Sequence, residues 1–392
     1  MARPRTTGVH RSPEGDPAAR TNPPVTPPRR RIALALAGGN ALGAYIAGAY
    51  EALHARGYRP DIISGASIGA VTGGIIAGNP LDTRIPKLRE FWDQAAAGTQ
   101  PFAPPAGGMR ELYNRAHVMQ AAMFGRPGLF APRIPGLLSA LPGIPADVAF
   151  FDHGATAATL ERVIDFDLLN RADIRLIVSA ADMQTGEPVR FDTRATRLAP
   201  AHFLASSAFV PSFPPVEIDG RWLGDYGLIG NLPLGPLLEA PLQHDLLCFA
   251  IDLFAPNDET PRQLGPVLER VQDILFAAQS KRSLEAGAQE HRLRHMIGEM
   301  LRTMGEQAES GKPLAHLARE GTTAELTLVS LAYKAPAHEL AAKTFDYSRA
   351  SVEECWVIGT RDMHLALDRL EAGESTSRDH GCTVYYTRAA RA

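Results

Sequence analysis

RIALALAGGNALGAYIAGAYEALHARGYRPDIISGASIGAVTGGIIA, residues 31–77, reads as strand, helix, strand, helix. Ile32, Ala33, Leu34, Ala35 and Leu36 make an apolar run of buried-strand length, closed by a turn at Gly38-Gly39. From about Ala41 to Arg56, residues Leu42, Tyr45, Ile46, Ala49 and Leu53 recur on one helical face, and Gly57 stops the helix. Asp61 to Ser64 is a second strand, broken by Gly65, and Ile68 to Ala77 is helical again. This alternation, with links this short, calls for a parallel sheet with helices packed on it. The fold class expected is α/β: three layers, α/β/α, around a central, mostly parallel sheet.

The same stretch carries two of three chemical motifs. Gly65-x-Ser67-x-Gly69 has the pattern of a strand-to-helix elbow, a turn so tight that small residues flank the serine. It pushes the hydroxyl out of the sheet at a helix N-terminus, where free N–H groups favour developing negative charge. Gly38-Gly39-Asn40-Ala41-Leu42-Gly43 closes the first strand and opens the first helix, and its glycines let backbone amides approach a bound ester. The third motif is far downstream. Asp225-Tyr226-Gly227 follows the apolar pair Trp222-Leu223 and precedes Asn231-Leu232-Pro233. A carboxylate there can accept a serine proton directly if its surroundings are dry. The three motifs, each at the end of an expected strand, point to a serine acyl-hydrolase.

Rival chemistries fit less well. A dinucleotide site would want a second glycine where Asn40 stands, and an acidic residue for which Asp61 is only a loose match. A Ser-His-Asp triad could draw on His364 or His380, but that fold puts several strands before its elbow and here one precedes it. His291 and His295 have helical i, i+4 spacing without a nearby carboxylate or third ligand motif, so a solvated face is expected and no metal or cofactor.

Composition sets the bounds. The 392 residues are 45% hydrophobic and 21% charged, ordinary for a globular protein, and a net charge of −3 gives no case for nucleic acid. Cys248, Cys355 and Cys382 are odd in number and lack CxxC spacing, which suits a reducing compartment. No apolar run approaches the roughly 20 residues that cross a bilayer, and the N-terminus has no apolar core of a secretion signal. The setting expected is the cytoplasm, with peripheral contact at a membrane surface open to it. Residues 1–30, rich in Pro and Arg, read as a disordered tail. Residues 31–252 read as the catalytic domain and 253–392 as an α-rich C-terminal extension packed on it. Within the domain, 124–147 mixes Phe124, Leu129, Phe130, Ile134, Leu137, Leu138, Leu141 and Ile144 with glycines and prolines. It reads equally as a packed loop or as the apolar rim of an acyl-chain pocket.

These motifs resemble the patatin-like phospholipase family, marked by a Gly-Gly-Gly-x-Arg/Lys-Gly loop, a GxSxG nucleophile and an Asp-Gly-Ala/Gly base motif. The resemblance spans about residues 32–235. It includes Ala181-Asp182 with Thr185-Gly186-Glu187, and Ser206-Ser207-Ala208 ahead of Pro214-Pro215. It implies Ser67 as nucleophile, Asp225 as base of a Ser–Asp dyad, and an oxyanion hole from the amides near Gly38, Gly39 and Asn40 with that of Ile68. Gly43, Gly65, Gly69 and Gly227 support the turns. The substrate implied is a lipid or other acyl ester; oligomeric state is not given by the sequence. The C-terminal third, with Phe345-Asp346-Tyr347-Ser348 and Trp356-x-x-Gly359, resembles a bacterial subgroup carrying an extension of unknown role. Three positions depart from the family pattern: Asn40 for the third glycine, Leu42 for the basic residue, Tyr226 for the glycine after the base. The last two suggest altered rate or substrate range, and a catalytically weak lipid-binding or regulatory scaffold of the same fold stays open.

Overall fold

The computed structural model describes residues 30–100, 102–256, 264–304, 312–336, 338–339 and 342–386. The tail expected over 1–30 thus lies outside the described residues except for Arg30. In chain order the strands are β1 (Arg31–Leu36), β2 (Ile62–Ala66), β3 (Ala131–Pro132), β4 (Phe151–Asp152), β5 (Arg175–Asp182) and β6 (Pro188–Asp192). They continue with β7 (Val216–Ile218), β8 (Arg221–Asp225), β9 (Leu246–Asp252), β10 (Leu326–Ala332), β11 (Ser377–Asp379) and β12 (Cys382–Tyr386). The helices are α1 (Ala44–Ala55), α2 (Ile68–Ala77), α3 (Arg84–Ala95), α4 (Gly108–Phe124), α5 (Ala155–Val163) and α6 (Phe166–Asn170). After them come α7 (Pro200–Ser206), α8 (Gly235–Leu238), α9 (Leu264–Met304), α10 (Lys312–Glu320) and α11 (Arg349–Glu371).

All strands but β3 and β4 join one sheet, in the order β11-β12-β10-β9-β1-β2-β5-β8-β7, with β6 also on β5. The centre, from β12 through β10, β9, β1 and β2 to β5, is parallel, and both margins are antiparallel. Strand β1 explains why the run at 32–37 is apolar throughout. Leu34 and Leu36 face the core under α1, α2, α3 and α11, while Ala33, Ala35 and Ala37 face a second core under α8 and α9. Large side chains on one face and alanines on the other let helices cover both, giving the three-layer α/β/α architecture.

The chain beyond residue 253 is woven into this body. It supplies β10, β11 and β12 to the sheet, α9 to one helical layer and α11 to the other. The β11–β12 hairpin was not foreseen from the sequence. Its polar first strand, Ser377–Asp379, carries no apolar alternation because it lies exposed at the sheet margin.

Candidate active site

Register along β5 brings the two distant motifs together. Strand β6 pairs with β5 from Ile177 to Ala181 on one side, so β2 and β8 must share the other side end to end. Ala66, the last residue of β2, pairs with Ser179, and Asp225, the last of β8, pairs with the next residue, Ala180. Because β2 runs parallel and β8 antiparallel to β5, their C-terminal ends abut there. Ser67 and Asp225 therefore meet, although 158 positions separate their numbers in the chain. The Ser67 hydroxyl lies near enough to the Asp225 carboxyl to favour its charged form.

The elbow is strained and held. Ser67 has φ 52° and ψ −125°, a conformation costing a non-glycine residue about 1–3 kcal/mol. The glycines around it are required by contact: a Cβ on Gly65 would lie 2.7 Å from the Ala70 backbone, and one on Gly69 only 2.3 Å from the Leu36 carbonyl oxygen. Gly43 is pressed as tightly by the Ile68 side chain, at 2.2 Å. The Ser67 N–H donates to the buried Ser206 hydroxyl at 2.9 Å, which donates in turn to the Ser179 carbonyl at 2.6 Å. Two residues on, the Ala208 carbonyl accepts from the Asp225 N–H at 3.0 Å. One short segment, 206–208, thus steadies both halves of the site.

Asp225 is buried, and removal from water pushes its carboxyl up from 3.8 to about 6, although the Ser67 hydroxyl and the Gly227 N–H favour its charged form. Gly227 donates to the Asp225 carboxylate at 2.7 Å. Its lack of a Cβ matters, since one would sit 3.0 Å from that same oxygen. A second buried carboxyl, Asp252 at the end of β9, is pushed up to about 7 by burial. It accepts from the Leu253 N–H at 2.8 Å and interacts with the Asn231 side chain, while the Ser280 hydroxyl approaches without completing a hydrogen bond.

Asn231 clamps the glycine loop. Its side-chain amide donates to the Gly38 carbonyl at 3.2 Å, and its backbone carbonyl accepts from the Gly38 N–H at 3.3 Å. The Gly38 amide is therefore spent, and the expected set of oxyanion donors narrows to Gly39, Asn40 and Ile68. Among the described residues no backbone acceptor outside the regular elements takes these three amides. Ile68 opens α2, where first-turn N–H groups lack intrahelical partners. Asn40 has φ 55° in a left-handed conformation that asparagine tolerates better than most residues. Leu42, standing where the family pattern has a basic residue, is 2% exposed in the core, a place where a lone charge would be costly. Tyr226 folds its ring over Gly230.

Ser67, Asp225, Gly38, Gly39, Asn40, Ile68 and Gly227 all line one cavity. Its walls are apolar: Leu129 and Phe130 from the Pro-rich segment, with Phe213, Phe254, Phe276 and Phe345. The two readings of 124–147 divide accordingly, since Leu129 and Phe130 turn inward while Phe124, Ile134, Leu137, Leu138, Leu141 and Ile144 are exposed. His364 and His380 are not among the cavity residues. His153 is, but among the described residues no histidine hydrogen-bonds Ser67 or Asp225. The His291–His295 pair packs on the β11–β12 turn: His291 bonds the Gly381 carbonyl at 3.1 Å, and the His295 ring crowds Gly381. Among the described residues no cluster of three or more metal-ligating side chains occurs.

A family model described as patatin-like phospholipase matches residues 34–238, more than half of the chain, covering the glycine loop, the Ser67 elbow and the Asp225 turn. The chain belongs to the patatin-like phospholipase family. A second model, described as patatin phospholipase, matches residues 274–379, so the C-terminal part of this patatin-like chain also has family counterparts. The uncharacterised NTE family proteins Mb1092c of Mycobacterium bovis and Rv1063c of Mycobacterium tuberculosis are each 29% identical over 207 residues, 53% of this chain. The chain covers only 45% of the length of each of these relatives. Among solved structures, VipD from Legionella pneumophila is similar with 17% identity and a TM-score of 0.39, covering 87% of this chain and 67% of VipD. The ExoU-SpcU complex of Pseudomonas aeruginosa gives 15% identity and a TM-score of 0.26, covering 91% and 74%.

Of the residues that shape this patatin-like site, Asn231 and Ser206 stood in the sequence beside recognised motifs without an assigned task. Asp252 gave no signal beyond ending an apolar strand. Tyr347 lay within a run noted only for its likeness to a subgroup.

Proposed function

We propose that the protein is a serine acyl-hydrolase of lipid esters, with Ser67 as nucleophile and Asp225 as its base. The observation that carries this reading is the pairing of Ala66 and Asp225 with consecutive residues of β5, at the floor of an aromatic cavity. Asp225 takes the Ser67 proton as Oγ attacks the ester carbonyl. The amides of Gly39, Asn40 and Ile68 hold the tetrahedral oxyanion. As the intermediate collapses, the leaving alcohol recovers the proton from Asp225, and the acyl group stays on Ser67. Water then gives a proton to Asp225 as it attacks the acyl-enzyme, and as that intermediate collapses Asp225 returns the proton to Ser67 Oγ, which releases the fatty acid. A base poised at about 6 is charged at neutral pH yet basic enough to accept the proton.

Helix α4 supports delivery of substrate from a membrane surface. It buries Arg110, Asn114 and His117 and exposes Met109, Leu112, Ala116, Met119 and Met123 along one stripe, the reverse of a helix packed by its apolar face. The exposed apolar residues of 124–147 follow it in the chain. Among the described residues no helix is long and apolar enough to cross a membrane.

The reading is tested with a fluorophosphonate probe and a p-nitrophenyl ester. Wild type is expected to be labelled at Ser67 and to turn over the ester, and Ser67→Ala to do neither while folding normally. An unlabelled, inert wild type would favour the lipid-binding scaffold instead.

A further inference from the structure

The C-terminal segment reaches into the site through Tyr347. Its hydroxyl donates to the side-chain carbonyl oxygen of Asn40, the residue that holds the left-handed position of the glycine loop. Tyr347 is 4% exposed and lines the cavity, and burial pushes its hydroxyl pKa well up, so it stays a proton donor at any working pH. The stretch carrying it is firmly tied. Lys343 pairs with Asp273 of α9 at 3.0 Å, both side chains being buried. Asp346 accepts from the Ser348 N–H at 3.0 Å and the Ser351 hydroxyl at 2.8 Å, at the start of α11. Phe345 beside it faces Phe130 and Phe151. The short 3-10 turns at Lys343–Phe345 and Asn40–Gly43 pack on one another.

A glycine at position 40 would adopt φ 55° without help, whereas asparagine does so under strain that a side-chain bond can offset. We propose that Tyr347 is a positioning residue: by gripping the Asn40 carboxamide it fixes the loop backbone so that the Asn40 and Gly39 amides aim at the oxyanion. The C-terminal segment is thereby part of the active site. This inference rests on the Ser67–Asp225 reading above. Since the oxyanion exists only after attack, loosening the loop lowers kcat and spares KM.

The test compares full-length wild type, Tyr347→Phe, Asn40→Gly and the double variant on a p-nitrophenyl ester, with thermal midpoints and fluorophosphonate labelling rates. One oxyanion donor is worth about 100- to 1,000-fold in kcat, so Tyr347→Phe is expected to lose at least about tenfold, with KM within about threefold. Asn40→Ala, which breaks the same bond from the other side, should show the same split and serves if Tyr347→Phe fails to fold. Whatever activity Asn40→Gly retains, adding Tyr347→Phe should change it by less than about twofold. Equal losses from Tyr347→Phe in both backgrounds, or a Tyr347→Phe enzyme with wild-type kcat and labelling rate, would overturn the positioning role while leaving the hydrolase reading intact. A wild type that neither labels nor turns over would overturn both.

Discussion

Asp225 sets opposing demands on chemistry and stability. In its proposed role as base it would work only when ionised, so kcat/KM is expected to rise with pH through about 6 and then level off, read from initial rates between pH 4.5 and 8. A profile flat across that range would exclude Asp225 as the titrating base. Folding runs the other way. The folded carboxyl is raised from 3.8 to about 6, so between those values the folded state binds the proton and the unfolded state releases it. Stability therefore falls as pH rises through that window and stays lower above it, by up to about 3 kcal/mol. Asp225→Asn is expected to be inactive but more stable at pH 7, with the gain vanishing near pH 4 in urea titrations. The motif residues were legible because a tight strand-to-helix turn restricts which residues fit: Gly65 and Gly69 are glycines for want of room, and Ser67 lies between them. Asp252 was not legible, because a single carboxylate at a strand end has no local signature until burial raises its pKa.

At the scale of elements, α1 and α11 pack backbone against backbone. A Cβ on Gly48 would lie 1.9 Å from the Trp356 carbonyl oxygen, and one on Gly359 only 2.1 Å from that of Tyr45. Both obstacles are backbone, which cannot rotate aside. Thr360 adds a hydroxyl bond to the Gly48 carbonyl at 3.1 Å, and the Trp356 indole donates to Glu51. Gly48→Ala is expected to force the helices apart and cost roughly 1–3 kcal/mol or more in urea unfolding. Gly108→Ala, with open space around it at the start of α4, should stay within about 0.5 kcal/mol. A neutral Gly48→Ala would mean that the two helices pack less tightly than described. The existence of α1 and α11 could be read from their periodicity. That they meet through paired glycines could not, because a glycine in a helical pattern looks the same whether it serves a crossing or merely weakens the helix.

At the scale of the molecule, α4 bears on where the proposed hydrolase would work. Its polar face is turned inward because the C-terminal part offers it polar partners: Arg110 pairs with Glu354 of α11 at 2.9 Å, and Asn114 donates to the His338 carbonyl at 3.3 Å. The apolar stripe is left outside. Met119→Glu combined with Met123→Glu is expected to weaken flotation with phosphatidylcholine vesicles tenfold or more, at roughly 1.5–3 kcal/mol for each side chain buried in lipid. Turnover should fall further on vesicles than on a soluble ester. Equal flotation of variant and wild type would remove α4 from the membrane contact.

The chain's linear order alone made legible the alternation of strands and helices, the elbow at Ser67, the glycine loop and the Asp225 turn, since each shows as a short pattern of residue types close in sequence. Tertiary structure alone decided which amides stay free once Asn231 has taken Gly38, which way α4 faces, and that Tyr347 reaches Asn40 across 307 positions. Those outcomes depend on strand register and on which distant surface a residue meets. Neither leaves a trace in local spacing, because the partner that fixes each one lies in another part of the chain.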